Sequence, residues 1–286
     1  MWSQTVQLHS PYNFTQVLQR LALDPLNAVD LEKREIKVPL VIKGKQIAVA
    51  VKAAGTLEEP LFILSGQEEE GAALERLHEI FGWNADISAI RKHFLETSLK
   101  PLFEKFAHTP LVLEFDYFAC LVRCIIHQQL NLKFAFTLTE RFVKTYGNEK
   151  EGVWFCPEPE RVAKIPMEEL RALQFSQRKA EYLIHLAEHI ASGKLNLEEL
   201  RHQSDEEVEK RLLPLRGIGP WTVQNFLLFG LGRKNMFPKT DIGLQRAVQQ
   251  LFQLEQKPDD ACLEKIKKES EPYGSYASLY LWRSVE

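Results

Sequence analysis

The apolar pattern of this 286-residue chain changes period once, near Ile87. Before that point short β-rich runs dominate. Ile36 to Ile42 and Gln46 to Ala53 flank Lys43-Gly-Lys, which reads as a hairpin, and Leu61 to Ser65 is a third strand. A helix over 14–23 precedes them. An amphipathic helix over 71–81 follows, with Leu74, Leu77, His78 and Phe81 on one stripe. Beyond Ile87 the helical period persists, predicting helices over 87–95, 98–106, 115–130, 132–146, 159–163, 166–172, 177–192, 204–213, 220–230, 241–252, 259–270 and 275–285. Pro157, Pro159, Pro166, Pro214 and Pro258 act as breakers between them. The expected class is α+β: a small antiparallel-sheet lobe over 1–86 and an all-α domain over 87–286. The acidic run Glu68-Glu-Glu70 reads as a solvated helix start.

Composition narrows this picture. An apolar content of 45% is ample for buried cores, and the net charge of −3 gives no global attraction to an anionic partner. No run of eighteen apolar residues, signal peptide or lipidation motif is present, so a soluble intracellular protein is expected, cytoplasmic in a bacterium or nuclear in a eukaryote. Cys120, Cys124, Cys156 and Cys262 are scattered and read as reduced thiols. The histidines show no metal spacing beyond His185–His189, which lacks a further ligand. No phosphate-binding P-loop or dinucleotide fingerprint occurs.

Charge matters locally. Lys210, Arg211, Arg216, Arg233, Lys234, Lys239 and Arg246 fall in one segment whose only acid is Asp241. Within it, Leu213-Pro-Leu-Arg-Gly-Ile-Gly-Pro-Trp-Thr222 reads as helix, tight turn and helix. Gly217 and Gly219 are expected to take positive φ and to leave N–H groups bare for a phosphate, with Pro220 in the first turn of the next helix. Asp241, ahead of Ile242, Leu244, Val248 and Leu251, reads as a helix N-cap. It also reads as a lone carboxylate poised over nucleic acid, and the two readings are compatible.

Together with Ile125-Ile-His-Gln-Gln-Leu130, Phe237-Pro-Lys-Thr-Asp-Ile242 and Tyr273-Gly-Ser-Tyr-Ala-Ser-Leu-Tyr-Leu-Trp282, this hairpin resembles the helix-hairpin-helix DNA glycosylases. The DNA-3-methyladenine glycosylase II type is the most similar. The resemblance implies a monomeric enzyme that acts on double-stranded DNA with damaged bases, without a catalytic cofactor. Asp241 would be catalytic, and Trp221, Trp282 and Asn225 would line the base pocket. The type carries tyrosine where Asn225 stands, which leaves base preference open. Gln129, with Leu130, would form the wedge that fills the space of an extruded nucleotide. Gly217, Gly219, Thr222, Arg216 and Lys239 would meet phosphates. Carbonyls of Leu213, Leu215 and Ile218 would hold a structural sodium or potassium ion. Lyase-type relatives carry lysine at the position of Trp221, so the expected activity is monofunctional. No iron–sulfur cluster is expected, since only Cys262 lies beyond Asp241. Simple core packing is the competing reading for Trp221 and Trp282, and a featureless helix end for Gln129. An oxidised- or deaminated-base glycosylase and a non-catalytic damage-binding protein are the alternative functions.

Overall fold

A computed structural model describes residues 1–286. Strands β1 (Trp2–Gln7), β2 (Ala28–Asp30), β3 (Glu35–Ile42), β4 (Lys45–Ala53) and β5 (Leu61–Gly66) form an antiparallel sheet ordered β1-β5-β4-β3-β2. The β3–β4 register opposes Val38 to Val49 and turns through Lys43 and Gly44, at φ +50° and +76°. Two consecutive positive φ values are what a two-residue type I′ hairpin requires. Helices α1 (Phe14–Leu21) and α2 (Glu70–Ile80) cover one face, burying Phe14, Leu18, Val38, Val49, Phe62 and Leu77. The acidic run is not a free solvated end: Glu68 and Glu69 pair with Lys45 and Lys43 across the sheet edge.

The helical part begins with α3 (Ile87–Phe94), α4 (Lys100–Lys105), α5 (Tyr117–His127) and α6 (Leu132–Tyr146). A small hairpin of β6 (Asn148–Lys150) and β7 (Val153–Phe155) then returns to the sheet lobe. There Val153 and Phe155 pack on Ala48, and Lys150 Nζ donates to the Gln46 carbonyl at 2.6 Å. Next come α7 (Pro159–Val162), α8 (Met167–Ala172), α9 (Gln177–Ala191), α10 (Leu197–Leu200), α11 (Asp205–Leu212), α12 (Pro220–Asn225), α13 (Ile242–Leu251), α14 (Asp260–Ser270) and α15 (Gly274–Arg283). No helix is long and apolar enough to cross a membrane.

The expected helix over 220–230 is two pieces, because Phe226–Gly230 is a π turn after α12. Helix 115–130 ends at His127 instead. β1, β2, the β6–β7 hairpin and α10 add to the elements that the periodicity predicts; each is short or largely polar on its exposed positions.

Two apolar clusters organise the helices. One joins α5, α6, α9, α11 and α12, and the other joins α3, α4, α13, α14 and α15. Phe229 and Met236 touch both, so the 226–241 segment lies on the seam. The sheet lobe is fastened beside this seam by Arg123, which pairs with Asp24 at 2.6 Å and Glu114 at 3.1 Å, and by Arg20, which pairs with Glu286 at 3.0 Å.

His127, the last residue of α5, gives the fold a pH dependence. Its Nε2 lies 3.2 Å from Thr139 Oγ1, whose own proton goes to the Ala135 carbonyl at 3.0 Å, so the imidazole donates. Burial, with Arg123 and Lys179 nearby, pushes its pKa down to about 3. The unfolded chain binds this proton near the ordinary value of 6.5, so acid favours unfolding between those limits. For this group alone, stability is expected to fall by about 1.4 kcal/mol per pH unit below that value. Denaturant melts of the wild type and His127→Gln from pH 7 to pH 4 should show a shallower slope for the variant.

Candidate active site

Asp241 is the N-cap of α13, with extended backbone (φ −69°, ψ 125°) and Oδ1 accepting the Leu244 N–H at 2.7 Å. Two more donors reach the same carboxylate from opposite sides of the seam. The indole N–H of Trp282, on α15, donates to Oδ1 at 2.8 Å, and that of Trp221, on α12, donates to Oδ2 at 2.7 Å. Both oxygens are thereby held in a fixed plane between two tryptophans supported by different helical cores. Each tryptophan also packs on an apolar cluster, as the core reading expects, and both indole N–H groups find their partner in one carboxylate.

Gly243 lies close to both Asp241 and Trp282. A Cβ there would stand 3.1 Å from Asp241 Oδ1, tighter than ordinary contact, and would touch the Trp282 ring at 3.4 Å. Phe229 lies against Trp282 with ring centroids 5.6 Å apart, and the Arg20 guanidinium lies 5.5 Å from the Phe229 centroid. The π turn that carries Phe229 takes it out of the α-helical register. Asn225 is buried and its Nδ2 donates to the Trp221 carbonyl at 2.8 Å, so it braces the tryptophan.

The hairpin lies next to this carboxylate. Helix α11 begins with a capping box of Ser204 and Glu207 and ends at the turn that leads into α12. Gly217 sits at φ +84° directly over the Tyr182 ring, where a Cβ would fall 2.1 Å from Cγ. Gly219 departs from expectation. Its φ is −108° and ψ 179°, because it is the extended N-cap that lets Pro220 open α12. The N–H groups of Gly217 and Gly219 meet no carbonyl within the protein backbone. The carbonyls of Leu213 and Ile218 likewise accept from no backbone N–H, whereas that of Leu215 accepts from Ile218 at 3.1 Å. Carbonyl oxygens without a backbone donor, such as those of Leu213 and Ile218, are of the hard type that could hold a monovalent cation.

Two expected phosphate contacts are otherwise engaged. Thr222 is only 1% exposed and its hydroxyl accepts from Gln128 Nε2 at 3.1 Å. Lys239 Nζ lies 2.8 Å from Asp260 and 2.9 Å from Glu264, carboxylates brought from α14 that the linear segment does not contain. Arg216 is exposed.

The turn between α5 and α6 separates its residues sharply. Gln128 (φ −50°, ψ 125°) and Gln129 (φ +57°) take the central positions of a type II turn closed by the Leu130 N–H on the His127 carbonyl at 3.2 Å. Gln129 is exposed at the tip in the left-handed region, which is sparsely populated for a non-glycine residue. Leu130, paired with it in the sequence reading as a wedge residue, is tucked against the first helical core. Asn131 caps α6 through Phe134 N–H at 2.9 Å.

No three His, Cys, Asp or Glu side chains are grouped to hold a metal ion. Sequence reasoning missed Gln128, Gly243 and Phe229; a glycine two residues past an N-cap was the one signal available.

A lone, doubly clamped carboxylate beside a helix-hairpin-helix turn defines a class, and comparison with known proteins agrees. The model of the HhH-GPD superfamily of base excision DNA repair proteins matches residues 122–272, and the chain belongs to that family. It is 51% identical, over 100% of both chains, to a Bacillus subtilis protein named "Putative DNA-3-methyladenine glycosylase YfjP". It is 30% identical to Escherichia coli DNA-3-methyladenine glycosylase 2, over 58% of this chain and 57% of that one. Among solved structures, a 3-methyladenine DNA-glycosylase from Archaeoglobus fulgidus superposes with a TM-score of 0.85 at 26% identity, covering 99% of this chain and 97% of that one.

Proposed function

We propose that this protein is a monofunctional DNA glycosylase that hydrolyses the N-glycosidic bond of alkylated purines of the 3-methyladenine kind, after turning the nucleotide out of the duplex. The observation that carries this reading is the Asp241 carboxylate fixed between the indole N–H groups of Trp221 and Trp282. Breaking the bond leaves positive charge on C1′ and O4′ of the sugar. An anion already oriented beside those atoms stabilises the transition state more than the ground state. An alkylated purine carries a positive charge and departs without a protonating acid, so one carboxylate suffices. The electron-rich faces of Trp221 and Trp282 attract such a cation, by about 1–2 kcal/mol once desolvated. Names of relatives in two bacteria and an archaeon support the same substrate class.

Hairpin N–H groups of Gly217 and Gly219, with Arg216, hold phosphates of the lesion strand in this reading, and Gln129 enters the space left by the extruded base. Carbonyls of Leu213, Leu215 and Ile218 would hold a monovalent cation that neutralises a phosphate. Solved relatives bound to DNA support the nucleic-acid partner. The absence of lyase chemistry rests on Trp221, which has no nucleophile, and on Lys239, which is drawn to Asp260 and Glu264. The test is chromatography of bases released from duplexes with defined lesions, with strand nicking scored in parallel and borohydride added. Free alkylated purine, intact abasic strands and no trapped adduct are expected. A trapped adduct would overturn the monofunctional assignment, and release of oxidised bases alone would overturn the substrate class.

A further inference from the structure

The two halves of the DNA-facing surface are tied together by side chains with no role in the chemistry above. Gln128 Nε2 donates to the carbonyl of Gly217 at 2.8 Å and to Thr222 Oγ1 at 3.1 Å, spanning from the α5–α6 turn to the hairpin. From the other side Lys179, on α9, donates through Nζ to the Gln128 carbonyl at 2.7 Å and to the Ile126 carbonyl. These are carbonyls at the C-terminal end of α5, where the helix dipole attracts a cation. Tyr182, one turn along α9 from Lys179, lies under Gly217. One helix therefore supports both the turn and the hairpin. Burial has pushed the Lys179 ammonium down to about 8, so its position is held against a desolvation cost.

We infer that Gln128 and Lys179 are positioning residues that hold the strained turn bearing Gln129 in fixed register with the phosphate hairpin, so that gripping the backbone and filling the vacated base position occur as one rigid event. This rests on the glycosylase reading for its substrate. The mechanical part is independent of it, because Gln129 sits at φ +57°, a sparsely populated region for a non-glycine residue, and the residue before it, Gln128, is the one that its own side-chain bonds and Lys179 restrain. Gln128 alternates with Gln129 in direction: the first points inward to two acceptors, and the second is left at the exposed tip.

Gln128→Met and Lys179→Met remove donors while keeping side-chain length, and Lys179→Arg restores a charged donor. Thermal melts confirm that each variant is folded. Single-turnover excision is then measured on an alkylated purine opposite its normal partner and on the same lesion opposite a gap. Losing a buried hydrogen bond of this kind should slow the paired substrate by about tenfold and the unpaired one by less than about threefold, with Lys179→Arg close to wild type. Equal losses on both substrates, or none on either, would overturn the inference. A second measurement needs no excision: a fluorescent purine analogue opposite a stable abasic analogue brightens when a side chain unstacks it. Both Met variants should reduce that brightening at saturating protein, and unchanged brightening would overturn the inference even if the wild type released no base. Failure of the wild type to release any base, with brightening that still depends on Gln128 and Lys179, would reject the glycosylase reading alone.

Discussion

Replacing Asp241 with Asn should leave a folded, DNA-binding protein whose single-turnover base release falls by about 10²–10³-fold, a loss of about 3–4 kcal/mol of transition-state stabilisation. Asparagine caps a helix as well as aspartate does, so a purely structural role for this residue predicts no loss. It also keeps an acceptor for the Leu244 and Trp282 N–H groups. What it removes is the negative charge, and it sets an amide N–H₂ against the Trp221 indole N–H. Melting temperature, DNA affinity and excision rate measured on one preparation separate these effects. Intact excision would reject Asp241 as the stabilising anion.

Gly217→Ala should have the largest effect on structure. The residue sits at φ +84°, where an L side chain costs about 1–2 kcal/mol. Its new methyl would also overlap the Tyr182 ring, and overpacking adds about 1–3 kcal/mol. The turn must therefore distort, moving the Gly217 carbonyl off Gln128 and the Gly217 N–H off its phosphate direction. A fall in melting temperature with at least about tenfold weaker DNA binding is expected. Gly219→Ala is the internal control. Its backbone is extended and nothing lies within 4 Å of a Cβ there, so the fold should tolerate the change. Equal damage from both substitutions would contradict this division of the two glycines.

Much of this architecture is readable from the chain. The period change near Ile87 separates the two kinds of structure, and the capping signal at Asp241 marks a helix where it occurs. What the chain conceals is set by tertiary meeting. That Trp221 and Trp282 point their N–H groups at one carboxylate depends on two cores packing side by side, which no local period encodes. Lys239 looks like a free cation because its partners Asp260 and Glu264 lie in a later helix. Gln128 and Gln129 are identical in type, and only the sign of φ separates a residue that braces from one that projects. β1 escapes notice because Ser3, Gln4 and Thr5 are exposed on a sheet edge.

The central claim is electrostatic and can be measured without any base leaving. A duplex carrying a cationic pyrrolidine in place of the deoxyribose mimics the sugar charge, and a neutral tetrahydrofuran duplex has the same shape. If Asp241 faces that charge, the wild type should bind the cationic duplex at least about 10²-fold more tightly, and Asp241→Asn should lose that preference. Equal affinity of the wild type for the two duplexes would contradict the account.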